Sequence, residues 1–330
     1  MYTMPLNATS RTFFLLIIAF IAGSFYGSIY TNKFSAEHRG KIIREGQVKH
    51  INPILACEVA DAESFSELIP VKNHVQAIID SEIAKGNADN ISFYLRALNS
   101  GRWFGINEEI KYSPASMFKT IIMLAYLKQT EANPQLLEEN IKYNISPTEQ
   151  KVPLPFRLEA EKTYSVWEII ENMIINSSNV SLGVLLEHID SKFLDDVFRD
   201  MNIDAQGIDK EENIDHMSPR TYSLVYRVLY GSSYLNREMS EKGLELLTRT
   251  QFLNGLREGV PNNIEVAHKY GSRINNGNEE LHDCGIVYYP SHPYLICVMT
   301  RGKVTKNLNS SIANISKVTY QEMDAFYKNN

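Results

Sequence analysis

The stretch SPASMFKTIIMLAYLK, residues 113–128, places a serine three positions before a lysine at the start of a long apolar run. The apolar run predicts a buried helix whose first turn holds Ser116 and Lys119. Residues three apart share one face of a helix, so the lysine amine can reach the serine hydroxyl. The pattern fits a serine nucleophile with a lysine base, but it also fits the N-cap of an ordinary helix.

The overall composition is that of a globular protein with a sizeable core. Of the 330 residues, 44% are hydrophobic and 22% are charged, and the formal net charge is -6. No strongly basic patch stands out, which argues against a nucleic-acid partner. The cysteines Cys57, Cys284 and Cys297 fit no zinc motif, so we expect neither a metal nor another cofactor. Cys284 and Cys297 fall in one strand hairpin; a cross-strand bond is open to them, but we expect two buried free thiols.

The N-terminal region contains a long uncharged segment. Residues 12–30, which follow a short flank of residues 1–11, carry no charged side chain. As a helix this segment spans roughly 28 Å, about the thickness of a bilayer core. We therefore expect a transmembrane signal anchor, with a cleavable signal peptide as the alternative. Only Arg11 precedes this segment, whereas four basic residues follow it, Lys33, Arg39, Lys41 and Arg44. The positive-inside rule taken alone therefore favours a cytoplasmic position for the rest of the chain.

Periodicity divides the rest of the chain into a polar stalk, residues 31–70, and one folded domain, residues 71–330. The domain begins with a helix and a hairpin pattern at residues 91–107, and it ends with three strand-like runs between residues 265 and 300 and a closing amphipathic helix. The part between them, about residues 111–255, is mostly helical in pattern. We predict an α+β fold, with a five-stranded antiparallel sheet flanked by the N- and C-terminal helices and an all-helical subdomain.

Two more short motifs follow SMFK (116–119) along the chain. SSN (177–179) falls on a turn between two apolar helices, the first of which starts at a predicted capping box, SVWE (165–168). KYG (269–271) falls on a strand-like run. The three motifs in this order resemble those of the serine penicillin-recognising enzymes, most closely the class A β-lactamase-like serine hydrolases. The resemblance extends from about residue 71 to the C-terminus and implies a β-lactamase/transpeptidase-like fold.

The resemblance also implies an acyl-enzyme formed on Ser116. Lys119 would be the base, because burial and a second amine, Lys269, lower the pKa of a lysine toward the working range. Ser177 would pass a proton to the leaving nitrogen of a β-lactam or a D-Ala-D-Ala-like peptide. The backbone N–H groups of Ser116 and Ser272 would form the oxyanion hole. The residues implied to bind the substrate are Asn179, Tyr270, Gly271 and Ser272.

Two substitutions depart from the motifs of this family. Ser178 stands where the family usually has an aspartate, which is mainly architectural there. Tyr270 stands where it usually has Thr or Ser, whose hydroxyl helps to bind the substrate carboxylate. The family often adds an arginine on the following strand for the same carboxylate, whereas this strand reads ELHDC. Arg273 or His282 is left as a substitute, with His282 favoured as a structural residue, so we expect a reshaped pocket or a different ligand.

A fourth departure concerns deacylation. Class A β-lactamases carry a loop glutamate that activates the deacylating water, in a Glu-x-x-Leu-Asn pattern. The interval from Ser177 to Pro219 is only 42 residues (219 − 177), shorter than in those enzymes, and it lacks this pattern. Four acidic residues of its polar loop are available, Asp209, Glu211, Glu212 and Asp215, but acids in such a loop are typically solvated. We therefore expect slow hydrolysis of the acyl-enzyme.

The sequence thus predicts a membrane-anchored, monomeric serine hydrolase of the class A β-lactamase-like type. Its substrates would be β-lactams or D-Ala-D-Ala-like peptides of peptidoglycan. The alternatives are a D,D-peptidase or penicillin-binding protein, and a non-catalytic peptidoglycan-binding or sensor domain. Because these substrates lie outside the cytoplasm, we expect the catalytic domain to be extracytoplasmic, or secreted if the signal is cleaved, despite the charge bias after residues 12–30.

Overall fold

The computed structural model of the protein describes residues 65–144, 158–203, 217–275 and 277–329. The predicted membrane segment, most of the predicted stalk and the acidic loop residues between 209 and 215 lie outside these ranges. Within the ranges, no helix combines the length and the apolar character that a membrane crossing needs.

Strands near both ends of the described chain bracket a mostly helical middle, as the sequence patterns predict. The α-helices are α1 (Ile69–Ala84), α2 (Phe118–Thr130), α3 (Val166–Ile175), α4 (Asn179–His188), α5 (Ser191–Asp200), α6 (Pro219–Tyr230), α7 (Arg237–Thr248) and α8 (Thr305–Asn329). The strands are β1 (Asn90–Ala97), β2 (Trp103–Ile106), β3 (Asn140–Lys142), β4 (Thr163–Ser165), β5 (Val266–Asn275), β6 (Asn278–Val287) and β7 (Tyr294–Gly302). Short 3-10 helices lie at Phe65–Leu68, Ala115–Met117 and Leu136–Glu138.

Five of these strands form one antiparallel sheet in the order β2-β1-β7-β6-β5. This confirms the predicted sheet built from both ends of the chain, and it leaves β5 at an edge. β1 pairs with β7, so Tyr94 lies opposite Cys297, 203 positions away along the chain (297 − 94). The small ladder of β3 with β4 was not predicted, because strands of three residues are too short to show a period of two.

The sheet separates two apolar cores. On one face α1 and α8 cover the strands, and Val75 of α1 and Ile312 of α8 belong to the same core as Phe93 of β1. On the other face lies the helical subdomain, whose centre is α2. Residues 121–127 of α2 are all fully buried, as their unbroken apolar run predicts. The helix that follows Ser116 is therefore held by packing on every side.

Side-chain caps define the starts of α3 and α4, the two helices joined by the turn that carries the SSN motif. The hydroxyl of Ser165 accepts the Glu168 N–H at 3.2 Å, and the Glu168 carboxylate accepts the Ser165 N–H at 2.8 Å, which confirms the predicted capping box. The Ser178 hydroxyl accepts the Ser181 N–H at 3.1 Å and starts α4. The residue at the family's aspartate position therefore has an architectural function in this chain as well.

The two hairpin cysteines are bonded to each other, which corrects the expectation of free thiols. Cys284 in β6 and Cys297 in β7 lie directly opposite each other, and both side chains are fully buried. Their Cα atoms are 4.0 Å apart and a disulfide joins them. Residues that face each other across an antiparallel pair come this close, but the sequence does not specify the register that makes these two face each other.

A buried carboxylate ties α1 to α8. Glu82 accepts hydrogen bonds from Asn87 Nδ2 at 2.8 Å, Ser311 Oγ at 2.8 Å and Asn314 Nδ2 at 3.2 Å. Burial by itself favours the neutral acid, but these bonds and the Lys85 amine outweigh it and hold the pKa of Glu82 below its usual value. The ionised carboxylate is therefore the form that joins the two outer helices.

Replacing Glu82 by Ala is expected to lower the free energy of unfolding by about 2 kcal/mol at neutral pH, because the buried Ser311 hydroxyl and the side-chain amides of Asn87 and Asn314 lose their acceptor. Glu82→Gln keeps part of the network and should cost about half as much. The folded-state pKa is depressed, so the contribution of the carboxylate is present above pH 4.5 and is lost as the pH falls through the lowered pKa. Urea titrations at neutral and acidic pH measure this, and an equal loss at both would contradict it.

Candidate active site

The turn that carries Ser116 begins at a strained residue. Ala115 has a φ of +46°, in the left-handed region, and it opens the 3-10 turn that leads into α2. The buried Tyr222 of α6 donates its hydroxyl to the Met117 carbonyl at 2.9 Å and so fixes the end of the turn. The Ser116 hydroxyl caps neither this turn nor α2, which removes the N-cap interpretation. Backbone strain of this kind costs on the order of 1–3 kcal/mol and is found mainly at functional sites.

Lys119 is buried within hydrogen-bond distance of Ser116. Its ammonium donates to Ser116 Oγ at 2.7 Å and to Asn179 Oδ1 at 2.7 Å. Only 1% of its surface is exposed, and this burial lowers the pKa of Lys119 to about 8. A larger share of the amine is therefore neutral near pH 7 than in a free lysine, and a neutral amine is able to accept the hydroxyl proton.

The turn between α3 and α4 places Ser177 between two amines. Ser177 has a φ of +55°, the second left-handed non-glycine residue at this site. Its hydroxyl accepts a hydrogen bond from Lys269 at 2.9 Å and a longer one from Lys119 at 3.5 Å. Asn172 of α3 donates its side-chain amide to Ser181 Oγ of α4 at 2.8 Å, which joins the two helices on either side of the turn.

The second amine comes from the edge strand β5. Lys269 is fully buried and also donates to the Tyr270 carbonyl at 3.2 Å. Burial, and then the neighbouring charge of Lys119, lower the pKa of Lys269 to about 7, although the Asp283 carboxylate of β6 opposes this. The folded chain thus brings Ser116, Lys119, Ser177 and Lys269 into one hydrogen-bonded group from three separate parts of the sequence.

β5 approaches the Ser116 turn closely because residue 271 is glycine. A Cβ at Gly271 would lie 2.5 Å from the Pro114 carbonyl oxygen and 3.1 Å from the Met117 backbone nitrogen. Ser272, the next residue on the edge strand, is exposed. The two backbone N–H groups expected to form the oxyanion hole, those of Ser116 and Ser272, are therefore each one residue away from this contact. Asn179 has its side-chain oxygen engaged by Lys119, which leaves its amide NH₂ group as a donor toward a ligand.

The side chain of Tyr270 makes contacts that the small hydroxyl residue usual in the family could not make. Its ring stacks on the ring of Phe252, with centroids 4.0 Å apart and planes 17° from parallel. The Lys269 ammonium lies over the same Tyr270 ring, 4.2 Å from the centroid. The position thus presents an aromatic face to the amine, in place of a short hydroxyl.

The two candidate substitutes for the missing arginine lie in different surroundings. His282 is fully buried and its Nδ1 accepts the Thr300 N–H at 3.1 Å, so it is a structural residue. Arg273 is exposed and donates to Ser113 Oγ at 3.5 Å, so of the two only Arg273 is open to a ligand. Among the residues that the structure describes, no carboxylate is bonded to Lys119 or Lys269. The same residues contain no group of three or more His, Cys, Asp or Glu side chains placed to hold a metal ion.

Comparisons with known proteins agree with this geometry. A family model described as the beta-lactamase enzyme family matches residues 70–323, and the chain therefore belongs to this family. A solved structure of PBP-A is 20% identical over 77% of this chain and 96% of its own, with a TM-score of 0.65. A class A beta-lactamase from Mycobacterium abscessus is 20% identical over 76% of this chain and 99% of its own, with a TM-score of 0.64. These structures confirm the predicted fold, while no curated protein matches the chain.

Some residues that shape the site are not predicted by the sequence. Tyr222 and Phe252 contact the Ser116 turn and Tyr270, respectively, from distant parts of the chain. The left-handed backbone at Ala115 and Ser177 was not predicted either. No local pattern marks these residues, because their positions depend on tertiary packing.

Proposed function

We propose that this protein is a serine acyl-transfer enzyme that is acylated on Ser116 by β-lactams or by D-Ala-D-Ala-like peptides. The observation that carries the proposal is the 2.7 Å contact between Ser116 Oγ and a buried Lys119 amine whose pKa is lowered to about 8. An acyl-enzyme complex with penicillin G has been solved for a mutant of PBP-A, which has the same fold. The resemblance in the SMFK, SSN and KYG motifs transfers that chemistry to this chain as a hypothesis.

In the proposed acylation, neutral Lys119 accepts the Ser116 proton while Oγ attacks the carbonyl carbon. The new C–O bond moves the carbonyl π electrons onto oxygen, and the N–H groups of Ser116 and Ser272 stabilise that oxyanion. When the tetrahedral intermediate collapses, the C–N bond breaks and the nitrogen takes a proton from Ser177. Lys269 donates to Ser177 at 2.9 Å, so its amine is placed to return that proton.

Slow deacylation is part of the proposal. Hydrolysis of an acyl-enzyme needs a base that activates water. The two amines of the site, Lys119 and Lys269, are already hydrogen-bonded to the hydroxyl groups of Ser116 and Ser177. The chain lacks the Glu-x-x-Leu-Asn pattern, and the loop acids Asp209, Glu211, Glu212 and Asp215 lie outside the described residues. Weak β-lactamase or D,D-peptidase activity is therefore favoured over efficient hydrolysis of antibiotics.

A time course of intact mass after addition of penicillin G tests this function. We expect a single covalent adduct on the wild-type protein that persists for many minutes, and none on Ser116→Ala. Rapid turnover of a chromogenic cephalosporin without a lasting adduct would overturn the slow-deacylation part of the proposal. Release of D-Ala from a D-Ala-D-Ala peptide would identify a D,D-peptidase.

Tyr270 supports a second candidate function, a binding or sensor domain that has the pocket but does not catalyse acyl transfer. Its aromatic ring replaces a hydroxyl that the family uses for the substrate carboxylate, and of the two candidate replacements for the missing arginine only Arg273 is exposed. Reversible binding of a peptidoglycan peptide in calorimetry, with no adduct from any penicillin tested, would favour this second function.

We further propose that residues 12–30 anchor the protein in the cytoplasmic membrane and that the domain acts as a monomer outside the cytoplasm. The substrates of the proposed reaction are found there. The buried Cys284–Cys297 disulfide supports this side of the membrane, since disulfides persist mainly in oxidising compartments. Protease shaving of intact cells tests it: the domain should be digested from outside, and complete protection would contradict the proposal.

A further inference from the structure

The Lys269 ammonium has an aromatic neighbour in its own strand. Its nitrogen lies 4.2 Å from the centre of the Tyr270 ring, within the range of a cation–π contact. Phe252 stacks on the same ring at 4.0 Å, so the ring is held in place by a second aromatic group. The Tyr270 ring thus lies between the Lys269 ammonium and the Phe252 ring.

The other groups around Lys269 do not favour its charged form strongly. Lys119, from α2, is a like charge and lowers the pKa of Lys269, as burial does. Asp283, from β6, raises it, but this carboxylate accepts hydrogen bonds from His268 and from the Leu256 N–H. Tyr226, from α6, is buried with its pKa raised well above the usual value, so its phenol is neutral.

Two amines this close titrate as a coupled pair. Acylation of Ser116 depends on which of the two amines is neutral. Burial lowers the pKa of both amines, and the charge of Lys119 lowers that of Lys269 further, so these two effects favour loss of the Lys269 proton first. That order is unproductive for Ser116, since Lys119 is the amine in contact with its hydroxyl. An aromatic face attracts only the charged amine, so the Tyr270 ring raises the pKa of Lys269 by about 1 and opposes that order.

We infer that the Tyr270 ring, held by Phe252, keeps the proton on Lys269 and so leaves Lys119 as the neutral base for Ser116. The inference rests on the proposed function and assigns Tyr270 a positioning role within it. Tyr270 thereby replaces the hydroxyl expected at this position with an electrostatic control of the amine beside it. The competing explanation is that the ring only fills space against Phe252.

Two variants separate these explanations. Tyr270→Phe keeps the aromatic face over Lys269 and removes the phenol hydroxyl. Tyr270→Leu keeps an apolar side chain against Phe252 but has no π electrons. Thermal unfolding of each variant verifies that it is folded before the site is measured. A purely packing role predicts that both variants shift stability and that neither alters the titration of the amines.

The first measurement is the pH dependence of Ser116 acylation by penicillin G, which should be bell-shaped with a high-pH limb set by loss of the Lys269 proton. We expect this limb to move down by about 1 pH unit in Tyr270→Leu and to keep its position in Tyr270→Phe, whatever the maximal rates. Profiles that coincide for the wild type and the leucine variant would overturn the inference.

The second measurement does not depend on activity. Nuclear magnetic resonance of lysine Cε carbons, assigned with Lys119→Met and Lys269→Met, follows each amine through its titration. In the wild type we expect Lys269 to stay protonated to a higher pH than Lys119, and the order to reverse in Tyr270→Leu. If Lys269 is neutral first in the wild type, the inference is wrong. A missing penicillin adduct with the expected titration order would instead count against the proposed function alone.

Discussion

Replacing Lys119 by Met should reduce the rate of Ser116 acylation by penicillin G by a factor of about 10² to 10⁴, the usual contribution of a positioned general base. Methionine is close to lysine in length, but it has no group that accepts the hydroxyl proton. The lysine nitrogen lies 2.7 Å from Ser116 Oγ. Among the described residues, no other basic side chain is hydrogen-bonded to this hydroxyl. Stopped-flow or mass-detected acylation rates at pH 7 measure the loss.

The same Lys119→Met change should make the protein more stable, by on the order of 2 kcal/mol below pH 8. The folded-state pKa of Lys119 is about 8, below the ordinary 10.5, so the folded site disfavours the charged amine. The penalty applies in full below the folded-state pKa and disappears above pH 10.5, and the gain from methionine should follow it. The exposed Lys192→Met is the control, for which neither rate nor stability should change measurably. Loss of activity with an equal loss of stability would mean that Lys119 is a structural residue.

Gly271→Ala is the second change with a large expected effect. The added Cβ would overlap the Pro114 carbonyl oxygen at 2.5 Å, and a backbone atom cannot move aside as the end of a side chain can. β5 must therefore retreat from the Ser116 turn. A displacement of about 1 Å between reacting groups costs about 100-fold in rate, and the overlap should cost about 1–3 kcal/mol in stability.

Gly183→Ala provides the matched control. Gly183 lies in α4, where an added Cβ would meet no atom within 4 Å. Alanine is the better helix former, so this variant should gain about 0.5–1 kcal/mol and keep its acylation rate. Chemical denaturation and penicillin labelling of both variants give the comparison. Equal behaviour of the two alanine variants would show that the close approach at Gly271 is not needed.

The sequence was sufficient to predict the sheet, the outer helices and the three motifs, since these depend on hydrophobic period and residue type. The predicted capping box at Ser165 is present, and α2 is as buried as its apolar run predicts. The prediction of free thiols at Cys284 and Cys297 was wrong because the register that places them opposite each other is set by strand pairing, which the sequence does not specify. The aromatic pair of Tyr270 with Phe252 was not predicted for a similar reason: residues 18 positions apart (270 − 252) meet only in the folded chain.

The pairing of β1 with β7 has a consequence for how the chain is made. Strand β1 lies between β2 and β7, so one of its two edges stays unpaired until residues 294–302 have been synthesised. Contacts between such distant segments form late, because a long loop must close before they contribute. In the nascent chain, therefore, this edge of β1 stays open until β7 has been made. Shortening the protein by its last two elements, β7 and α8, should leave a product that aggregates through the bare edge of its first hairpin.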